Sequence, residues 1–449
     1  MAEFGLLGSD DLYASAQASV NFVVQRCLQP YRGHLRAVSS FVDPEGQVMH
    51  WHDFGDLEGP GWAANTAGGA HELFRWAKLL RSDSFQAQAL GLLDHILEDG
   101  FLEETSGFIW PYWDTVAERF CLNYRHGDDW LCPGSLALVG VQLLAFADDL
   151  RGDERYPVMQ WAAARLGEWL FAHTPHLENG WLPRRITPQG EPFRTDPNGL
   201  PDIIFDHSAD GLFLVQLAVA LTARGLANYR QEIASLCDAF VAVGGFWGSI
   251  NHDTYDDHEC VAYAVAFQVL RQAAELLSRP DWRSFAYDKA LAGLERFRMT
   301  EDRHGVPTAG LLWMEETWDT AYLWENAHAA LAYLEAWQET SRETYRDHGL
   351  AILSAIAAHH HGPYGFLTEG VDWNNHVSSV HHIRGELYGD IRYTEPLLNN
   401  LHFLMPTHSY FEQIGYVPPQ GWAAEDTLRR VRELAEAAWD RAKRAQWVT

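Results

Sequence analysis

Six short stretches hold most of the side chains able to donate, accept or position protons. They read WHDFGDLEGPGW (51–62), NYRHGDDW (123–130), DIIFDHSADG (202–211), NHDTYDDHE (251–259), EETWDTAYLWEN (315–326) and VHHIRGELYGDIRYTE (380–395). Each mixes carboxylates with His, Arg or aromatic residues, the mixture that acid–base chemistry on a polar ligand needs. Asp210, Asp129 and Asp128 are the catalytic candidates, with Glu259 and Glu325 as reserve acids. His126, His207, His258 and Arg384 are candidate contacts to substrate hydroxyls or carboxylates, because a guanidinium or imidazole donates directionally. A plainer role stands beside each. Asp favours helix N-caps, so Asp210 before GLFLVQLAVAL suits a cap as well as a catalyst. Asp128 and Asp129 are adjacent, and one of them is expected to be a cap or a solvated loop acid.

Tryptophan is in excess, with 19 in the chain. Those inside helical patterns, such as Trp76, Trp161 and Trp337, are expected in the core. Others fall in connecting segments: Trp51, Trp62, Trp130 and Trp318 adjoin the polar stretches. A π-face suits stacking on the C–H face of a sugar ring, so these four are candidate binding residues for an oligosaccharide.

The elements that must position these groups are helices. Apolar residues recur at three- and four-residue spacing nearly throughout. One set of helical segments is amphipathic, with a solvated face: 12–29, 84–97, 155–172, 229–241, 282–298, 342–358 and 425–446. A second set is apolar on nearly every side: 63–80, 132–147, 210–223, 260–277, 321–337 and 394–404. A helix apolar all round must be buried all round. The two sets alternate about six times, the pattern of a repeat architecture. The expected fold is all-α, an (α/α)6 toroid forming a single domain over 1–449, with small rim hairpins near 47–52 and 107–113. In that plan the polar stretches enter the inner helices at one mouth, where helix N-termini favour carboxylates.

Composition limits the partners. The formal net charge of −28 repels phosphate backbones and anionic lipid, so neither nucleic acid nor membrane is an expected partner. No uninterrupted apolar run reaches the ~18 residues of a membrane span, and the first eleven residues lack the basic region of a signal peptide. Cys27, Cys121, Cys132, Cys237 and Cys260 are scattered, as expected of reduced thiols in a cytoplasmic protein. No H-E-x-x-H or Cys/His quartet occurs, and the runs at 359–361 and 381–382 place neighbouring His side chains apart, so no metal is expected. The stretch HDTYDDHE (252–259) remains a lesser possibility for one. No nucleotide-binding glycine loop opens a helix, so no cofactor is expected.

HSADGLFLVQLAVALTARG (207–225) resembles the third inner helix of the unsaturated glucuronyl and unsaturated rhamnogalacturonyl hydrolases, which are (α/α)6 barrels. Their helix opens with an Asp that is the general acid/base, and Asp210 matches it. A second acid heads their preceding inner helix; RHGDDWLCPGSLALVG (125–140) is similar in placement, matching Asp128 or Asp129 with His126 nearby. Their early Trp has a counterpart in Trp51 or Trp62. The fourth inner helix here reads DDHECVAYAVAF and lacks the family's Arg-Gly-Gln-Ala-Trp signature, which leaves saturated uronosides and neutral sugars open as substrates.

The resemblance implies a glycoside hydrolase acting on a uronate-containing oligosaccharide, with Asp210 as acid/base and Asp129 as its partner. On an unsaturated uronide, Asp210 would protonate the C4=C5 double bond and water would add at C5. On a saturated substrate, an acid and a base about 6.5–9.5 Å apart would give inversion. Acidic substrates would require Arg125, Arg184, Arg185 and Arg384 to gather at the mouth. Two alternatives use the same toroid. A cofactor-free sugar epimerase of the N-acylglucosamine 2-epimerase type would pair His258 with His381 or His382. A polysaccharide lyase would use Tyr255 or Tyr393 as base.

Overall fold

Helices without a polar face have only one place to go, the interior. The computed structural model describes residues 5–50, 55–196, 199–243, 258–314, 320–374, 389–419 and 423–446. In chain order its main helices are α1 (Ser9–Phe22), α2 (Thr66–Leu80), α3 (Asp83–Glu98), α4 (Pro133–Asp149), α5 (Arg155–His173), α6 (Gly211–Ala223), α7 (Arg230–Val243), α8 (Cys260–Leu277), α9 (Pro280–Phe285), α10 (Leu323–Thr340), α11 (Glu343–Ile356), α12 (Met405–Ile414) and α13 (Ala424–Gln446). Helices α2, α4, α6, α8, α10 and α12 pack each against the next, and α12 returns to α2, closing a ring. Helices α3, α5, α7, α9 and α11 lie outside, each against the inner helix before it. One contiguous apolar core runs through the ring, from Leu12 to Trp439.

Small residues set the spacing of the ring. A Cβ on Gly69 would stand 2.9 Å from Leu397, and one on Gly140 would stand 2.9 Å from Leu217 of α6. Helix α8 is long and apolar enough to cross a membrane, unlike the expectation that no such segment exists; 72% of it is buried among its neighbours in the ring. All five cysteines are buried and none forms a disulfide.

Three elements depart from the periodicity. The sixth inner helix is α12, not 394–404. That segment forms only a turn (Pro396–Asn399) and a 3-10 turn (His402–Leu404), because Asn400 bonds Leu367 and Thr394 rather than continuing a helix. Pro406 then opens α12, where its missing N–H costs nothing, and Gly415 closes it at φ 64°. The segment 282–298 is broken into α9, a π-helical turn (Ala286–Leu291) and a 3-10 turn (Leu294–Phe297). Helix α1 has no solvated face: Leu12 to Phe22 are all buried. The amphipathic α13 covers it, presenting Val431, Ala435, Ala438, Trp439 and Ala442 along one side. Trp439 also donates its indole N–H to the Ala358 carbonyl at 3.0 Å.

The strands are short. β1 (Leu28–Tyr31) and β2 (His34–Ala37) make a hairpin directly after the first helix. β3 (Leu57–Glu58), β4 (Tyr112–Asp114) and β5 (Arg119–Cys121) form an antiparallel sheet near the expected second hairpin. β6 (Ala321–Tyr322) and β9 (Gly370–Val371) pair at the start of α10. β7 (His360–His361) pairs with β8 (Phe366–Leu367) beside α13.

Candidate active site

The heads of the inner helices collect buried carboxyl groups. Asp210 is 2% exposed, and Glu259, Glu325 and Glu395 are fully buried. None of Asp210, Glu259 and Glu395, which immediately precede helical segments, makes a side-chain capping bond. The capping role that accounts for most acids before helices is therefore absent at all three.

Asp210 is held from three sides. The Ser208 hydroxyl donates to its Oδ2 at 2.8 Å, and Arg184 Nε lies 3.5 Å from the same oxygen. Arg184 and the adjacent Arg185 are themselves fully buried and share Asp202 between them. Trp181 fixes the Ser208 carbonyl with its indole N–H at 2.8 Å. Helix α4 approaches from the other side, where a Cβ on Gly134 would stand 2.2 Å from the Asp210 carbonyl oxygen. Burial pushes the Asp210 carboxyl up to about 6. The charges of Arg184 and Arg185 and the Ser208 hydroxyl restrain the rise, while Asp202 adds to it. A carboxyl so placed holds its proton in mildly acid solution and releases it near neutrality, as a general acid/base must.

The loop of residues 123–130 is tied to this cluster through Trp130. Its ring lies 5.2 Å from the Arg185 guanidinium and meets Tyr124 edge-on. Asp129, next in sequence, is exposed and accepts from Asn123 Nδ2 at 3.3 Å. Asp128 is exposed and pairs with Arg119 at 2.5 Å. His126 bonds Asp114 at 2.8 Å, at the sheet beside this loop. His207 is partly exposed beside Asp206.

A second cluster occupies the heads of α8 and α10. The Cys260 thiol donates to Glu325 Oε2 at 3.0 Å, and burial with the two nearby glutamates lifts its pKa far above the thiol range. His258 Nδ1 lies 2.6 Å from the Tyr263 hydroxyl, which also accepts from Arg296 at 3.0 Å. Trp62 is buried edge-on to Trp324 at 5.5 Å. The β6–β9 pairing brings Glu369 and Tyr393 here as well. Leu323 N–H donates to the Glu369 carbonyl, and burial among acids holds the Tyr393 phenol protonated.

Trp51, Trp318 and Arg384 lie outside the described residues, as do His381, His382, Tyr255 and most of the 252–259 stretch. Arg125 is exposed over the Tyr124 ring, whereas Arg184 and Arg185 are committed beneath Asp210. Trp62, Trp130, Trp181 and Trp373 are buried, while Trp161, expected in the core, is 40% exposed on the outer helix α5. Among the described residues no three His, Cys, Asp or Glu side chains group as a metal site would require. Sequence patterns passed over Ser208, Asp202, Cys260 and Glu369 as site neighbours. The twin Arg184–Arg185 in a strongly acidic chain was the available signal for the first two.

The ring and its outer layer have parallels of known structure. The chain superposes on a cellobiose 2-epimerase from Bacillus thermoamylovorans with a TM-score of 0.61, at 13% identity, covering 89% of this chain and 99% of that one. A D-mannose isomerase gives 0.56 at 12% identity, over 90% and 97% of the two chains. An unsaturated glucuronyl hydrolase specific for heparin gives 0.53 at 11% identity, over 91% and 99%. The chain has the (α/α)6 fold. No established family profile matches the sequence, and no curated protein matches it. The likeness is one of architecture, with this mouth built from its own residues.

Proposed function

We propose that this chain is a glycoside hydrolase acting on a uronate-containing oligosaccharide, with Asp210 as its general acid/base. The observation that carries this reading is the Asp210 carboxyl: buried, uninvolved in capping, braced by Ser208 and Arg184, and shifted to about 6. Asp129 is the proposed partner. It is exposed beside Trp130, whose stacking on Arg185 joins its loop to the Asp210 cluster. A carboxylate in contact with solvent suits a base that activates water. Asp128, Glu259 and Glu325 are the reserve acids. Trp51, Trp62, Trp130, Trp318, His126, His207, His258 and Arg384 are proposed to line the substrate path.

On an unsaturated uronide, Asp210 would give its proton across the C4=C5 bond and then take one from the water adding at C5. The hemiketal formed would open and release the aglycone. On a saturated uronide, the proton would go to the glycosidic oxygen instead. Product analysis by NMR on a panel of both substrate types tests the reading. Loss of the conjugated alkene's ultraviolet absorbance marks hydration, and reducing-end release without that loss marks direct hydrolysis. No cleavage of any uronide would sink it.

The hydrogen-bonded chain His258–Tyr263–Arg296 favours a second reading, sugar epimerisation with His258 as a proton carrier. It is also consistent with the epimerase and isomerase named above as relatives in fold. Deuterium incorporation at sugar C2 in heavy water, without cleavage, would select it over hydrolysis.

A further inference from the structure

The ring encloses a polar space whose lining does not include Asp210. A cavity of about 340 Å³ runs along the axis, bounded by all six inner helices. It extends from His328 and His402, near the heads of α10 and α12, to Gln338 and Glu412 at their far ends. Its volume lies within the range of small-ligand pockets.

The lining is unusual for the centre of a helical ring. Gln142, Gln216, Gln268 and Gln272 reach it from α4, α6 and α8, where apolar packing would be expected. His328 and His402 are each 6% exposed, and their rings stand 5.8 Å apart. Neither nitrogen of His402 has a hydrogen-bond partner, nor does Nδ1 of His328 or Oε1 of Gln142. Buried polar atoms are normally satisfied, so four unsatisfied ones around a single cavity call for a ligand that completes them.

The charge pattern narrows its chemistry. Each charged wall residue already has an ionic partner in the protein: His71 with Asp149, Glu72 and Glu412 with Arg75, and Glu335 with Arg271. Burial keeps His328 and His402 neutral, lowering them to about 3 and about 4. Neutral imidazoles and amides offer both donors and acceptors, the complement of a hydroxyl group. Leu138, Val141, Phe213 and Leu331 supply apolar surface between them, suited to ring C–H groups.

We infer that the axial cavity is a binding site for a neutral, polyhydroxylated molecule of monosaccharide size, separate from the Asp210 cluster. The site stands on its own residues and does not depend on the hydrolase reading. It holds its ligand by hydrogen bonds from the glutamines and the His328–His402 pair, with no bond made or broken.

Saturation-transfer NMR and calorimetry on the intact protein test this with glucose, mannose, galactose, sorbitol and glycerol as probes. Gln216→Leu and Gln272→Leu remove wall amides that are only partly buried, and circular dichroism checks that each variant folds. At least one probe should bind, and each variant should weaken it about tenfold, the worth of one well-made hydrogen bond. Asp210→Asn should leave that binding unchanged. The proposal is overturned if no probe binds, if the leucine variants bind as the parent does, or if binding is lost with Asp210→Asn. Failure to cleave uronides, by contrast, would leave this site untouched.

Discussion

At the scale of single residues, the argument turns on what surrounds Asp210. An Asp before an apolar helix is legible in the sequence, but whether it caps or catalyses is not. Capping depends on where the carboxyl points, and here it turns towards Ser208 and Arg184 instead of the helix N–H groups. Asp210→Asn should therefore leave the fold intact and lower kcat about 10³-fold, as removal of a general acid/base does. Full activity in that variant, with circular dichroism showing a folded protein, would dismiss the assignment. On the proposed acid/base role, activity of the parent protein should fall as pH rises above about 6, where the proton leaves Asp210, and the pH–rate profile checks this. Gly134 offers a second test. Its missing Cβ is what admits the Asp210 carbonyl, so Gly134→Ala should cost about 1–3 kcal/mol and displace the Asp210 carboxyl. Denaturant midpoints and kcat together measure both effects.

At the scale of elements, periodicity located five of the six inner helices because their apolar runs are uninterrupted. The sixth was misplaced because 394–404 has the right composition but the wrong side-chain chemistry: Asn400 bonds Leu367 and Thr394 in place of extending a helix. Helix α1 shows the converse. Its polar Ser15, Gln17, Ser19 and Asn21 suggest an exposed face, yet all are buried beneath neighbouring helices. Gln17 is consumed by the Trp76 indole at 3.0 Å, and Ser15 by His360 at 2.8 Å. Helix α13 closes this region, with Trp439 as its largest anchor. Trp439→Ala should destabilise the protein by about 3–5 kcal/mol, as expected for a buried aromatic. Thermal unfolding reads that loss, and an unchanged midpoint would show that α13 is dispensable.

At the scale of the whole molecule, buried titratable groups make stability depend on pH in two opposed ways. Asp210 is raised from 3.8 to about 6, so the native state holds a proton that the unfolded chain has lost. Its contribution is complete below about pH 4 and disappears as pH rises through 6. His328 and His402 are lowered from 6.5 to about 3 and about 4, so only the unfolded chain is protonated between those values. Their contribution is complete above pH 6.5 and is lost as pH falls. His402→Gln should thus shift the acid-unfolding midpoint to lower pH, measured by circular dichroism. An unshifted midpoint would mean that His402 is not buried in its neutral form.

The sequence by itself determined the architecture. Helices apolar on every side, alternating with amphipathic ones, can satisfy their surfaces only as an inner ring within an outer layer. It also marked the inner-helix heads as the place where acids gather. The tertiary structure decided which polar groups meet. Arg184 and Arg185 lie some 25 residues before Asp210 yet sit beneath it, and Glu325 meets Cys260 across two helices. It also decided that glutamines from four separate helices face one axial cavity. Burial and ionisation depend on neighbours brought together by folding, and no local pattern records them.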